Sequence, residues 1–274
     1  MKMKLGTMVL ITENINIKES FEEVAKLGLQ TCQVSCTAEL MIDRLKPKDI
    51  KMASEEFGIE ISSFFLVFKG QVYNRLEEGA STVGFIPEEF RAKRLELAKR
   101  FSDLVCEIGV RSITSHVGAI PNDPKNPLYL GFIPLMKEFV EYCKKNGQIF
   151  CFETGQELPS TLKRTIIDIG LDNIGINLDP ANLILYGMAH PLDAVEILGE
   201  YVRGMHAKDA LWPNRDESLG IEVPVGKGEV DFPLLLSKLK EKGFQGPITI
   251  EREISGEEQK KDILEAKKFL EPYL

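Results

Sequence analysis

Five apolar runs in this chain end on ionisable side chains. SITSHVG reaches His116, IFCFETGQE reaches Glu153, IGINLDPAN reaches Asp179, RGMHAKDA reaches His206, Lys208 and Asp209, and ITIEREI reaches Glu251. An ionisable group at the end of an apolar strand is costly unless it is paired or binds a metal. Two Glu, one Asp and one His supply three oxygens and one nitrogen. That donor set suits one divalent ion such as manganese, magnesium, cobalt or zinc. Taken singly, each residue reads as a solvated loop group; on neighbouring strand ends they read together as a metal site.

Such residues meet only if the strands that carry them run parallel and side by side. A repeated rhythm supplies this. Amphipathic stretches end in Gly28, Gly58, Gly109, Gly147, Gly170, Gly199 and Gly243, and a short apolar run follows each. Glycine just past a helix end relieves the left-handed cap conformation. Phe21, Val24, Ala25 and Gly28 share one helical face, as do Leu97, Phe101, Leu104 and Ile108 further on. Pro47, Pro159, Pro191 and Pro233 suit first helical turns. With the opening strand KLGTMVLI, the rhythm gives eight strands, and a last helix is predicted over roughly 257–270. Eight units of ~34 residues suit a single (β/α)8 TIM barrel of class α/β, taken as one domain over residues 1–274. Two long connections, Lys69 to Pro87 and Ala210 to Val230, follow the carboxyl ends of the third and seventh strands. Barrel active sites lie on that face, so both read as lids or substrate walls.

Composition narrows the partners. Thirty-four Lys and Arg against 42 Asp and Glu leave a formal net charge of −8, which disfavours general nucleic-acid binding. The apolar run Phe64–Phe68 is far too short to span a bilayer, so no membrane partner is expected. MKMKLGTMVLI lacks a small-residue cleavage site and reads as a strand, not a signal peptide. The five cysteines form no CxxC pair and read as buried small residues in a reducing cytoplasm. Gly226-Lys227-Gly228-Glu229 lacks the spacing of a nucleotide loop; tight turning over the mouth explains its glycines.

Beyond residue 110, SHVG, FETGQE, NLDPANLILYG, MHAKD, EVPVGKGEVDF and ITIEREISG resemble the xylose-isomerase-like barrel superfamily. The subgroup they are most similar to is called sugar phosphate isomerase/epimerase. The resemblance implies a metal held by Glu153, Asp179, His206 and Glu251. It also implies an isomerase, either a ketose epimerase or an aldose–ketose isomerase, acting on a small sugar or sugar phosphate. In that chemistry a proton leaves the carbon beside a carbonyl, and the metal stabilises the enediolate as a Lewis acid. By the same resemblance Glu153 and Glu251 are the expected acid–base pair. An alternative is a dehydratase of a keto-polyol, since HAKD is similar to inosose dehydratase. An apurinic-site endonuclease, also in the superfamily, needs more His ligands than the three His here provide.

The chain departs from characterised ketose epimerases at two places. Asn182 stands where a His is common, and the pair Lys208-Asp209 stands near where an Arg contacts substrate. Arg215 is the loop candidate for that part. His116, Glu157, Asn182, Lys208 and Arg215 are therefore the expected substrate-binding residues. Lys208 shares its strand face with His206 and suits the distal end of a substrate, with a salt bridge to Glu153 or Glu157 as its other reading. Asp209 should face away and support the loop. His190 reads as a surface loop residue, and Arg91 and Arg94 as solvated. The oligomeric state stays open, a homo-oligomer included.

Overall fold

The structure, a computed structural model, describes residues 3–73, 76–214 and 219–274. In chain order the strands are β1 (Leu5–Leu10), β2 (Thr31–Thr37), β3 (Glu60–Val67), β4 (Ser112–Ser115), β5 (Ile149–Glu153), β6 (Ile174–Leu178), β7 (Val202–Ala207), β8 (Asp209–Leu211), β9 (Ile221–Val223) and β10 (Ile248–Ile250). Eight of them close into a barrel in the order β1-β10-β7-β6-β5-β4-β3-β2, and every neighbouring pair is parallel. Helices alternate with the strands, so the fold is a single (β/α)8 TIM barrel. Runs such as Ile174–Leu178 are buried throughout because helices cover one face and the barrel interior the other.

Local chemistry sets the helix limits. Pro47, Pro159 and Pro191 open their helices at the first turn, where the missing N–H has no intrahelical role. Gly58, Gly109 and Gly170 close theirs in the left-handed conformation. Gly199 departs from the expected rhythm. Its φ is −55°, because the helix Pro191–Leu198 runs on into a 3-10 turn, Gly199–Tyr201, that feeds β7. The helix Arg91–Ile108 buries Leu95, Ala98, Phe101, Val105 and Ile108; Leu97 and Leu104 are only partly buried beside that face. The last helix is Glu257–Leu270.

Both long connections leave carboxyl ends of strands. The first carries a helix, Leu76–Thr82, and the second carries the antiparallel hairpin β8–β9. Arg91 and Arg94 are not solvated as expected: both are buried. Arg91 donates to the carbonyls of Phe85, Ile86 and Leu128, and Arg94 to those of Gly84 and Thr82. They hold the first connection against the barrel. Among the described residues no helix is long and apolar enough to cross a membrane.

Candidate active site

Parallel strands in a closed barrel present all their carboxyl ends at one rim. Glu153 is the last residue of β5, Asp179 follows β6, His206 lies near the end of β7, and Glu251 directly follows β10. Since β5, β6, β7 and β10 are successive neighbours, the four residues form one arc of that rim.

Within the arc, three residues are each held at one polar atom and left open at another. Asn177 Nδ2 donates to Glu153 Oε2 at 2.6 Å. The Asn182 N–H donates to Asp179 Oδ1 at 2.9 Å, so Asp179 also caps the helix Pro180–Leu185. His206 Nε2 lies 2.6 Å from Gln33 Oε1. The remaining atoms, Glu153 Oε1, Asp179 Oδ2 and His206 Nδ1, are buried and make no hydrogen bond of proper geometry. All three lie within 4.8 Å of one another. His206 Nδ1 stands 2.9 Å from Glu153 Oε1, 3.6 Å from Asp179 Oδ2 and 3.1 Å from Glu251 Oε2.

A buried polar atom without a partner costs about 1–3 kcal/mol, and more when charged. Three such atoms turned on one point are satisfied together by a divalent cation, and the donor set of two carboxylates and an imidazole fits one. Glu251 stands beside this trio, not inside it. Its side chain is 16% exposed, and Lys208 Nζ draws its Oε2 to 3.3 Å.

The charges polarise one another. Burial pushes the Glu153 carboxyl upward, against the pull of the His206 ring. Burial acts the same way on Glu251, but Lys208 and then His206 outweigh it and hold that carboxyl well below the usual range. Lys208 is buried and loses hydration, yet Glu251, Asp179 and Glu253 keep its ammonium charged.

The other expected residues divide. Lys208 forms the salt-bridge network, though not with Glu153 or Glu157. Its partners are Glu253, Glu251 and Asp179, and it donates to Asn182 Oδ1 at 3.3 Å. Strand β7 ends one residue before it, at Ala207. Glu157 is buried, which pushes its carboxyl up to about 8. His116 is half-buried between the rings of Phe65 and Tyr73, and desolvation pushes it down to about 3, so it is neutral. Arg215 lies outside the described residues. His190 caps the helix Pro191–Leu198 by accepting from the Leu192 N–H.

Asp209 turns to the loop. Its carboxylate accepts from the N–H groups of Ala210, Gly226, Gly228 and Val230. A Cβ on Gly228 would collide with that carboxylate, which explains the glycine. Sequence reasoning missed Gln33, Asn177 and Phe65, whose ring stacks on His206 with centroids 6.1 Å apart. The available signal was a Gln inside TCQVSCT and an Asn inside IGINL, amides in otherwise buried barrel strands.

The model of the xylose isomerase-like TIM barrel family matches residues 21–273. The chain belongs to this family. A xylose isomerase domain protein from Planctomyces limnophilus is 33% identical to this xylose isomerase-like barrel, with a TM-score of 0.91, over 98% of this chain and 97% of that one. A D-psicose 3-epimerase from Clostridium cellulolyticum H10, solved with D-tagatose, is 16% identical with a TM-score of 0.75, over 99% of both chains. A xylose isomerase-like TIM barrel protein from Mycobacterium smegmatis, solved in complex with magnesium, is 17% identical with a TM-score of 0.72, over 95% of this chain and 89% of that one. At these identities the last two show the shared fold.

Proposed function

We propose that this protein is a divalent-metal-dependent isomerase or epimerase of a small sugar or sugar phosphate. The observation that carries the reading is the trio of unpartnered buried atoms on Glu153, Asp179 and His206, with Glu251 beside them. Glu153, Asp179, His206 and Glu251 would hold the ion; manganese, magnesium, cobalt and zinc all suit the donors. When bound, the ion supplies Lewis-acid stabilisation of negative charge developing on substrate oxygens. The epimerase with D-tagatose and the magnesium complex among the fold's solved members support the substrate class and the ion.

The protein's own groups then move the proton. Glu153 and Glu251 approach His206 from strands on its two sides, β5 beyond β6 and β10 next door. A carboxylate on one side takes the proton beside the substrate carbonyl, and the carboxyl on the other returns one. Lys208 keeps Glu251 ionised and in place. Asn177 fixes Glu153 through Oε2 and so sets the direction of its free oxygen, Oε1. His116, Glu157, Asn182 and Lys208 bind substrate oxygens, and Arg215 remains the further candidate for that part.

Incubation of the manganese-loaded protein with ketoses and ketose phosphates in heavy water tests this. Deuterium should enter the carbon beside the carbonyl of the substrate, even where turnover is slow. Wild-type protein that binds manganese but exchanges no hydrogen in any such sugar would sink the reading.

A further inference from the structure

We propose that Gln33 is a positioning residue that selects which nitrogen of His206 faces the metal. This rests on the metal reading above. A neutral imidazole has one donor nitrogen and one acceptor nitrogen, and the partner of one decides the role of the other. His206 Nε2 meets Gln33 Oε1 at 2.6 Å, inside the barrel and away from the carboxylates. A carbonyl oxygen only accepts, so Nε2 must carry the hydrogen. Nδ1 is then the nitrogen turned toward Glu153, Asp179 and Glu251, and the one that would offer its lone pair to a bound ion.

The orientation of the Gln33 amide is itself held. Its Nε2 donates to Thr114 Oγ1 at 3.5 Å, Thr114 Oγ1 and Ser63 Oγ are 2.9 Å apart, and Ser63 Oγ donates to the Ser112 carbonyl at 3.2 Å. Read back from that carbonyl, every link has a donor and an acceptor. Ser63 gives its hydrogen to Ser112, Thr114 gives its own to Ser63, and a Thr114 lone pair receives the Gln33 amide hydrogen. The Gln33 carbonyl is left for His206. Rotating the amide end for end would place two hydrogens against Nε2, drive the ring proton to Nδ1 and remove the nitrogen ligand.

Two backbone features support the relay. The β2–β3 register shifts between Cys32 and Gln33, so that Gln33 lies abreast of Ser63 and not of Ser62. Without that shift the hydroxyl nearest Gln33 would belong to Ser62, which instead bonds the Cys32 carbonyl. Such irregularities re-aim side chains next to active sites. On the other side, the Phe65 ring lies at 24° to the imidazole, which limits rotation of the ring plane. Gln33, Ser63 and Thr114 are all buried, so water does not compete for these bonds.

Cobalt(II) titration followed by its visible absorption tests this on the intact chain. Gln33→Leu removes the acceptor and should weaken cobalt binding by about 10–100-fold, the usual cost of losing an outer-shell partner of a ligating His. Its cobalt spectrum should shift, because the imidazole no longer presents one nitrogen. Gln33→Glu keeps an acceptor at the same reach and should bind cobalt within a few-fold of wild type. Nitrogen-15 NMR of the zinc-loaded wild type should show His206 protonated at Nε2. If Gln33→Leu does not fold, Thr114→Val cuts the relay further from the ring and should weaken cobalt binding in the same direction. Wild-type affinity and spectrum in whichever of these two variants folds would overturn the inference. Equal losses in the Leu and Glu variants would overturn it too, since packing alone would then explain both. Failure of wild-type protein to bind cobalt or zinc would instead overturn the metal reading, and this inference with it.

Discussion

Buried charge occurs in two parts of this barrel, and the two are bonded in opposite ways. Beneath the connection after β3, Arg91 and Arg94 are 9% and 5% exposed. Five hydrogen bonds take their guanidinium groups to backbone carbonyls, and Arg94 also lies over the rings of Phe68 and Phe90. At the rim of β5, β6 and β7, Glu153, Asp179 and His206 are as deeply buried, yet each keeps one polar atom without a hydrogen bond. The arginines complete their own bonding, so their burial stabilises a loop. The rim residues withhold theirs, so their burial costs stability and calls for a ligand. Local rules broken without local compensation mark functional sites.

The sharpest way to break this contrast is to remove charge from the reacting pair. Glu153→Gln and Glu251→Gln should each lower turnover by at least ~100-fold, the low end for loss of a general acid or base. Metal content measured on the same samples separates that loss from loss of the ion. One variant should still exchange substrate hydrogen with heavy water, because abstraction and return use different carboxylates. Near-normal turnover in both metal-loaded variants would remove the pair from the mechanism.

Paired substitutions test stability on either side. Asp179→Asn should weaken metal binding by at least ~10-fold, since loss of an outer-shell partner alone reaches that. Its melting temperature without metal should hold or rise. Asn caps a helix as well as Asp does, and its neutral amide takes the place of an oxygen that makes no hydrogen bond. Arg94→Met should do the reverse. It strands the Gly84 carbonyl, at about 1–3 kcal/mol for a buried group left unpaired. Chemical denaturation should show that loss. Equal destabilisation by both substitutions would mean that the two clusters are not different in kind.

Much of this was legible in the sequence because it is local. Glycine caps, first-turn prolines and apolar runs report on a few neighbouring residues, and they gave eight barrel strands and the last helix. The ionisable strand ends were legible for the same reason. Partners across the barrel were not. Gln33 and His206 are 173 residues apart, and nothing in TCQVSCT names its partner. Arg91 and Arg94 read as solvated because a charged helix start usually is. Only the path of the preceding connection buries them. Gly199 failed as a left-handed cap because a 3-10 turn continues its helix up to the start of β7.

Glu157 falls between the two kinds of buried charge and gives the smallest expected effect. It is 5% exposed, and desolvation pushes its carboxyl up to about 8, against the opposing backbone hydrogen bond from Gly155. The folded chain therefore keeps this proton to a much higher pH than the unfolded chain, in which an ordinary carboxyl releases it at about 4.3. Between those two values the native state binds more protons than the unfolded state, so stability falls as pH rises. Near pH 4 Glu157 is protonated in both states and costs nothing; by about pH 8 its contribution is lost. Glu157→Gln holds a neutral side chain of the same shape at every pH. In chelator, to keep metal from the neighbouring carboxylates, the variant should match wild type near pH 4.5 and melt a few degrees higher at pH 8. Melting curves that stay parallel from pH 4.5 to 8 would show that Glu157 is ionised and paired like the arginines. A gap that opens with pH would show a carboxyl buried without its counterion.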